Sequence, residues 1–376
     1  MPVTGMTTSN VKRINKHTIY RYIYNEKAVA KQEIAQNLKL SLTTVTQNLK
    51  ELEEEQLICR NGHYESTGGR KANVLAIAPT AKIAVGVSIF RETVQIVGIN
   101  LYGEILEKVT LDFPYETSLV YCKKLGDAVH RFISEFSFPE ESILGVGIAT
   151  QGIVSRNGDY VEYGRLIDNT GMKLKDFADF LNYPCRLEHD SKAAAYAESW
   201  NNDAVADTLL ILLNQNLGSA LIINGKIHEG LHMHSGTIEH MSIDKKGRPC
   251  YCGQYGCLEM YCSVESFREQ AGNNIKLFFQ EMRAGDAKKR EIWMEYLKNL
   301  AFALQNTNVV LDCNIIISGY LSSFFIEEDI NILFDMIQKY SPYTLAEKFI
   351  SVCKDGEFAT AIGAGLYYIN QFIQQI

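Results

Sequence analysis

Four residues able to hold a soft metal ion fall close together in the second half of the chain. They are His240, Cys250, Cys252 and Cys257, in the spacing H-x9-C-x-C-x4-C. One imidazole and three thiols make a complete tetrahedral set for zinc. Gly247, Gly253 and Gly256 stand between them, where the backbone must turn tightly. With all four positions filled by protein, no place remains for a water nucleophile, so the zinc reads as structural rather than hydrolytic. Glu259 follows directly, and a metal here would fix His240 and Glu259 relative to each other. His232 and His234 lie just upstream and read as loop or pocket residues, because the ligand set is already complete.

The elements that must carry this cluster alternate between strand and helix. Strands are expected at 83–89, 94–100, 104–110, 143–148, 186–188, 208–213, 220–223 and 314–318. Helices are expected at 118–135, 174–181, 191–200, 284–307 and 359–373. Such alternation argues for α/β layers. Asn224-Gly225 marks a tight hairpin. At 376 residues the chain exceeds one compact domain. Its 46% hydrophobic and 22% charged residues are ordinary for a soluble globular protein. No apolar run approaches the ~20 residues of a membrane span, and the N-terminus lacks the basic-then-apolar order of a signal peptide. Nine cysteines, an odd number with three at metal spacing, suit a reducing compartment. The expectation is a cytoplasmic protein with no membrane partner.

Charge is unevenly divided. The net −7 separates into +4 for residues 1–78 and −11 for the rest. An acidic body repels DNA, while a basic module can touch phosphates. That first segment reads as three helices. The first covers 11–25 with Ile14, Ile19, Tyr20 and Ile23 apolar, and the second covers 31–38. The third follows Ser41, a good N-cap, and buries Val45, Leu49 and Leu52. Its other face shows Ser41, Thr43, Thr44, Thr46, Gln47 and Lys50, which suit base edges and phosphates. That is the layout of a recognition helix. Asn61-Gly62 then predicts a two-residue hairpin inside 58–64, a wing that includes Arg60. Ser66 to Lys71 reads as a glycine-rich basic joint to the body, with Arg70 and Lys71 placed to meet the DNA backbone or minor groove.

These helices, the Gly69-Arg70-Lys71 segment and the His240–Glu259 stretch together resemble the ROK family of regulators. That family typically reads G-E-I-G-H, nine residues, then C-x-C-G-x-x-G-C-L-E. Here the same stretch is Gly236-Thr237-Ile238-Glu239-His240, then Cys250 to Glu259. The resemblance implies a winged helix-turn-helix followed by a two-lobed α/β body of actin/hexokinase (RNase H-like) type with a structural zinc site. It implies domains at 1–78 (DNA binding), 79–199 with 356–376 (first lobe) and 200–355 (second lobe, with the zinc site and a dimer surface). The implied partners are double-stranded operator DNA, a small carbohydrate effector, and a second copy in a homodimer or tetramer.

The resemblance also frames the question of catalysis. In kinases of this family a D-x-G-x-T loop and a G-T-G-I-G loop cradle ATP. The matching places carry Ser88 for the Asp and Phe90 for the Gly, then Glu92. In the second loop, 214–218, only Gly218 remains. Phosphoryl transfer is therefore not expected. The family's proton acceptor matches Asp190, flanked by His189 and Ser191 where Asn is usual. The sugar cradle maps to Thr237, His240 and Glu259, with Asn169 as a further contact. Thr237 is a departure from the family's Glu, and Glu239 stands where Gly is usual. The expected function is a sugar-responsive repressor of carbohydrate-utilisation genes. The alternative is an ATP-dependent sugar kinase with an accessory DNA-binding domain.

Overall fold

The computed structural model describes residues 8–63, 73–200, 202, 205–345, 349–353 and 356–376. Its N-terminal part runs α1 (Thr8–Glu26), β1 (Val29–Ala30), α2 (Lys31–Asn37), α3 (Leu42–Glu54), β2 (Ile58–His63) and β3 (Asn73–Ile77). Ile19, Tyr20 and Ile23 of α1, Ile34 of α2, and Val45, Leu49 and Leu52 of α3 are buried together. The apolar residues recur at helical spacing, so each helix turns one stripe inward. The strands form a small sheet in the order β1-β3-β2.

Two sequence expectations fail here. Asn61-Gly62 is not a hairpin turn. It lies inside β2, where the register against β3 shifts between Arg60 and His63. The wing's return strand is Asn73–Ile77, beyond the hairpin expected within 58–64. Residues 64–72 therefore connect two strands of the wing, and the step to the body falls at 78–82. Arg70 and Lys71 lie outside the described residues.

The body opens with β4 (Ile83–Ile89), β5 (Thr93–Ile99) and β6 (Ile105–Asp112). Then come α4 (Leu119–Glu135), β7 (Ile143–Thr150), the short hairpin β8 (Ile153–Val154) and β9 (Val161–Tyr163), α5 (Leu174–Leu181), β10 (Cys185–His189) and α6 (Asp190–Ser199). The sheet order is β10-β7-β4-β5-β6, with β10, β7 and β4 parallel and β4, β5 and β6 antiparallel. The inner strands β4, β5 and β7 are buried nearly end to end because α4 and α5 pack against one face and later helices against the other, while the edge strands β6 and β10 are more open.

A second sheet holds β11 (Thr208–Leu213), β12 (Leu217–Ile223), β13 (Lys226–Ile227), β14 (Asn314–Ser318) and β15 (Ile350–Val352), in the order β13-β12-β11-β14-β15. Asn224 and Gly225 both have positive φ, 53° and 69°, and form the turn between β12 and β13. A helical layer of α7 (Glu259–Cys262), α8 (Val264–Ala271), α9 (Ile275–Arg283), α10 (Ala287–Leu311) and α11 (Glu327–Tyr340) packs on this sheet around Phe267, Phe279, Trp293 and Tyr296.

The last helix, α12 (Ala359–Gln375), crosses back to the first sheet and lies on β4 and β7 and against α6. Close approach makes this possible. A Cβ on Gly86 would sit 1.8 Å from the carbonyl oxygen of Ala361, and one on Gly363 would sit 1.7 Å from that of Ala193. The far half of α12 meets the N-terminal helices. Ile362, Leu366, Ile369 and Ile373 share one continuous core with Ile19, Tyr20, Ile23 and Leu52. Tyr24 of α1 also donates its hydroxyl to the carbonyl of Leu101, 3.0 Å away.

Candidate functional site

The four predicted metal ligands converge. His240 ends a single 3-10 turn over 238–240, and the three cysteines sit on the tight loops before α7. Their donor atoms all lie within 4.8 Å of one another. The Cys252 and Cys257 sulfurs are 3.6 Å apart, and the Cys250 sulfur is 3.8 Å from Nδ1 of His240. Tetrahedral zinc–thiolate bonds of about 2.3 Å put neighbouring sulfurs at roughly that separation. Gly256 takes φ of 69° and leaves no room for a side chain, since a Cβ would lie 1.6 Å from the Asp244 carbonyl oxygen.

His240 has a second face. Its Nε2 lies 3.4 Å from the Tyr251 hydroxyl, and both residues line a cavity of about 340 Å³. This cavity opens between the two sheets, where the ends of β7 and β10 face the start of β12 and the turn at Thr237. Its wall is largely apolar, including Ile153, Leu166, Leu217 and Tyr163, and its polar groups converge from Gln151, His189, Asp190 and Glu239. Concave, mostly apolar, with a few placed polar groups, it has the character of a small-molecule site.

Asp190 is the first residue of α6, and Oδ1 accepts the backbone N–H of Ser191 at 2.7 Å. Burial pushes its carboxyl up to about 7, offset in part by that hydrogen bond. His189 beside it is pushed down to about 3 by burial and then by Lys192, so its ring is neutral. Glu239 is buried as well. It accepts from the Ser219 hydroxyl at 2.6 Å, and burial raises its carboxyl to about 8. Gln151, 2% exposed at the end of β7, has a buried side-chain oxygen without a partner. Buried polar atoms are ordinarily satisfied, so an orphan on a cavity wall is an invitation to a ligand.

The sequence-predicted sugar contacts separate into those on the cavity wall and those behind it. Asp190, Thr237 and His240 line it. The Thr237 hydroxyl donates to the His234 carbonyl at 2.9 Å. Glu259 is not on the wall. Its carboxylate accepts from Asn216 Nδ2 at 2.9 Å and from the Leu217 N–H at 2.7 Å, so it braces the turn between β11 and β12. Asn169 is not on the wall either. Fully buried, it donates to Thr150 Oγ1 and to the Gln151 carbonyl, and holds the end of β7 from behind. Sequence reasoning left Glu239, Tyr251, His189 and Gln151 off its list of contacts. The signal for Glu239 was present, a carboxylate where glycine is usual. The direction of its side chain depends on the 3-10 turn, which the sequence does not announce.

On the N-terminal module, Ser41 caps α3 by accepting the Thr44 N–H at 3.1 Å, and its hydroxyl meets that of Thr44 at 2.9 Å. Thr43, Thr46, Gln47 and Lys50 are exposed. Lys50 lies 3.6 Å from Glu54, and Arg60 pairs with Glu53 at 3.3 Å.

With the geometry in place, the comparisons are specific. A model of the ROK family matches residues 84–370. The chain belongs to the ROK family. A winged helix-turn-helix DNA-binding model matches residues 12–58. Among ROK relatives, the DNA-binding transcriptional dual regulator NagC of Escherichia coli (strain K12) is 25% identical over 274 residues, covering 72% of this chain and 67% of its own length. The xylose repressor of Caldicellulosiruptor bescii is 22% identical over 354 residues, covering 88% and 89%. Of solved structures, a ROK family transcriptional regulator described as a homolog of the E. coli MLC protein superposes with a TM-score of 0.71 at 20% identity, covering 97% of this chain and 98% of that one. A ROK family glucokinase from Streptomyces griseus, in complex with glucose and AMPPNP, superposes at 0.67 and 20% identity, covering 76% and 98%. At these identities the likeness is one of fold: the regulator matches nearly the whole chain, and the glucokinase about three quarters of it.

The ROK body also holds a second cleft, of about 270 Å³, between the segment after β4 and the turn between β11 and β12. Phe90, Glu92, Asn214, Gln215, Arg268 and Glu357 line it. Ser88 is fully buried beneath it, its hydroxyl without a partner. Among the described residues no helix is long and apolar enough to cross a membrane.

Proposed function

We propose that this chain is a sugar-responsive DNA-binding transcriptional repressor. In this reading α3 enters the major groove of an operator, and a carbohydrate in the 340 Å³ cavity releases it. The observation that carries the reading is one run of packed structure. Asp190 on the cavity wall begins α6, α6 lies against α12, and α12 shares its core with α1 and α3. A ligand that favours one arrangement of the two sheets thereby has a solid route to the DNA-reading helices. Release requires that the sugar bind the two arrangements with different affinities. The names of the relatives, regulators and repressors rather than kinases, favour the same reading.

Asp190, Glu239 and Gln151 are the groups we assign to the sugar hydroxyls, with His240 Nε2 and the Tyr251 hydroxyl beside them. Thr237 takes the rim. Glu259 and Asn169 act at one remove, through the turn before β12 and the end of β7. Zinc would be held by His240 Nδ1 and the three cysteines, supplying a fixed crosslink with no open coordination position. That crosslink sets the His240 ring against the cavity. The division at 1–78, 79–199 with 356–376, and 200–355 is the one we adopt. A homodimer through the last of these is supported by Phe302, Val309 and Val310, exposed on α10. The site of action is the cytoplasm, where an operator lies.

The kinase alternative is disfavoured by the second cleft. Glu92 and Glu357 would repel the phosphates of ATP, and the Phe90 side chain stands where a phosphate needs bare backbone. The test is operator binding by the full chain, titrated with neutral hexoses, pentoses and amino sugars, alongside a coupled ATP-turnover assay. A sugar that weakens operator binding without turnover supports the repressor. Turnover abolished by Asp190→Asn would establish the kinase instead, and no response to any carbohydrate would remove the effector.

A further inference from the structure

The reading helix presents an apolar side chain where a base reader is expected. Leu42, the first residue of α3, is 52% exposed. It stands on the same face as Thr46, one turn later, and Gln47 follows one residue further round the helix. The Thr46 hydroxyl is already engaged on both sides. It donates to the Leu42 carbonyl at 2.6 Å and accepts from Lys31 Nζ at 3.2 Å. With its proton and one lone pair used, Thr46 has left to offer outward its methyl group and a single acceptor lone pair. Ser41 and Thr44 are likewise engaged with each other in the cap. Gln47 is exposed and, among the described residues, its amide has no partner. The helix start is therefore rigid, with two apolar groups and one free amide on its open face.

N-terminal residues of a recognition helix are those that meet base edges in the major groove. The one apolar group there is the thymine methyl, and a glutamine amide matches adenine N6 and N7. Resting on the DNA-reading assignment above, we infer that Leu42, backed by the Thr46 methyl, is a specificity-determining contact for thymine, with Gln47 on an adjacent adenine. The Thr46 hydroxyl proton is spent on the Leu42 carbonyl and is not available to a base acceptor.

The experiment is selection of binding sites from random duplexes by the full-length protein. The enriched half-site is then remade with each thymine in turn replaced by deoxyuridine, which removes only the methyl. The wild type should lose about fourfold in affinity at one thymine per half-site, the ratio for one buried methyl-sized group. Leu42→Ala should bind the thymine duplex about as weakly as wild type binds the uracil duplex, and should not distinguish the two. Because Leu42 is half exposed, this variant should melt with the wild type and bind random DNA at low salt equally well. Wild-type affinity unchanged by uracil at every position would overturn the inference, as would a Leu42→Ala loss that leaves thymine preferred over uracil. If no sequence is enriched at all, Leu42 reads nothing, and the DNA-reading assignment fails with it.

Discussion

Tyr24 and Leu101 are far apart in sequence, yet the Tyr24 hydroxyl donates to the Leu101 carbonyl at 3.0 Å in a buried setting. The bond joins the last turn of the first DNA-module helix to the end of β5 in the body. With the shared core around α12, it makes the winged helix part of the body's own packing.

Tyr24→Phe should therefore cost about 1 kcal/mol, since it leaves a buried carbonyl without its donor. Scanning calorimetry should show Tm lowered by about 1 °C for a chain of this size. The winged helix and the body should unfold together, in one transition that moves as a whole. Two separate transitions, with only the first shifted, would show the module to be independent.

Metal analysis of the purified protein should give one zinc per chain, lost in Cys257→Ala. Cys257 is fully buried among the four donors, so no neighbouring group can replace it. A chelator should lower Tm, and added zinc should restore it. Sugar affinity should fall together with the zinc content, because His240 belongs to both sites.

Burial raises the Glu239 carboxyl to about 8, so it is mostly neutral near pH 7, and Glu239→Gln should weaken the effector by roughly two- to tenfold, the range for one hydrogen bond between neutral groups. Titration calorimetry with the sugar identified by operator release would measure it. Operator affinity without sugar should be unchanged, because Glu239 touches Ser219 and the cavity rather than α12. Glu259→Gln should act differently. It disturbs the bonds to Asn216 and Leu217 and so should lower stability as well as affinity.

Asp190 predicts a pH effect of defined sign. Burial raises its folded pKa to about 7 from an unfolded value of 3.8. The folded state holds that proton longer, so the stability this group contributes is complete below 3.8 and lost as pH rises through 7. Asp190→Asn stays neutral throughout. Thermal melts should show the variant gaining on the wild type between pH 5 and pH 8, with His189 common to both proteins. A difference that shrinks over that range would contradict the assignment.

The same dipeptide shows how far the sequence could be read. Asn224-Gly225 was expected to turn and does, because β12 and β13 pair immediately on either side. Asn61-Gly62 was expected to turn and instead continues a strand, because the partner of β2 is β3. Local preference was equal at the two sites, and only pairing at a distance distinguished them. The third helix, its Ser41 cap and most body strands were legible because each depends on periodicity and caps within a few residues.

The sequence by itself determined the family, the His/Cys cluster and the winged helix-turn-helix with its capped third helix, since each is a matter of residue type at short spacing. Tertiary structure alone decided which carboxylates face the cavity. Glu259 turns away to hold Leu217, while Glu239, one residue from His240, turns in. A side chain's direction is set by the backbone that the whole fold imposes, and a cavity between two sheets exists only once both are in place. The same holds for the contact of α12 with α1, which brings the two ends of the chain into one core.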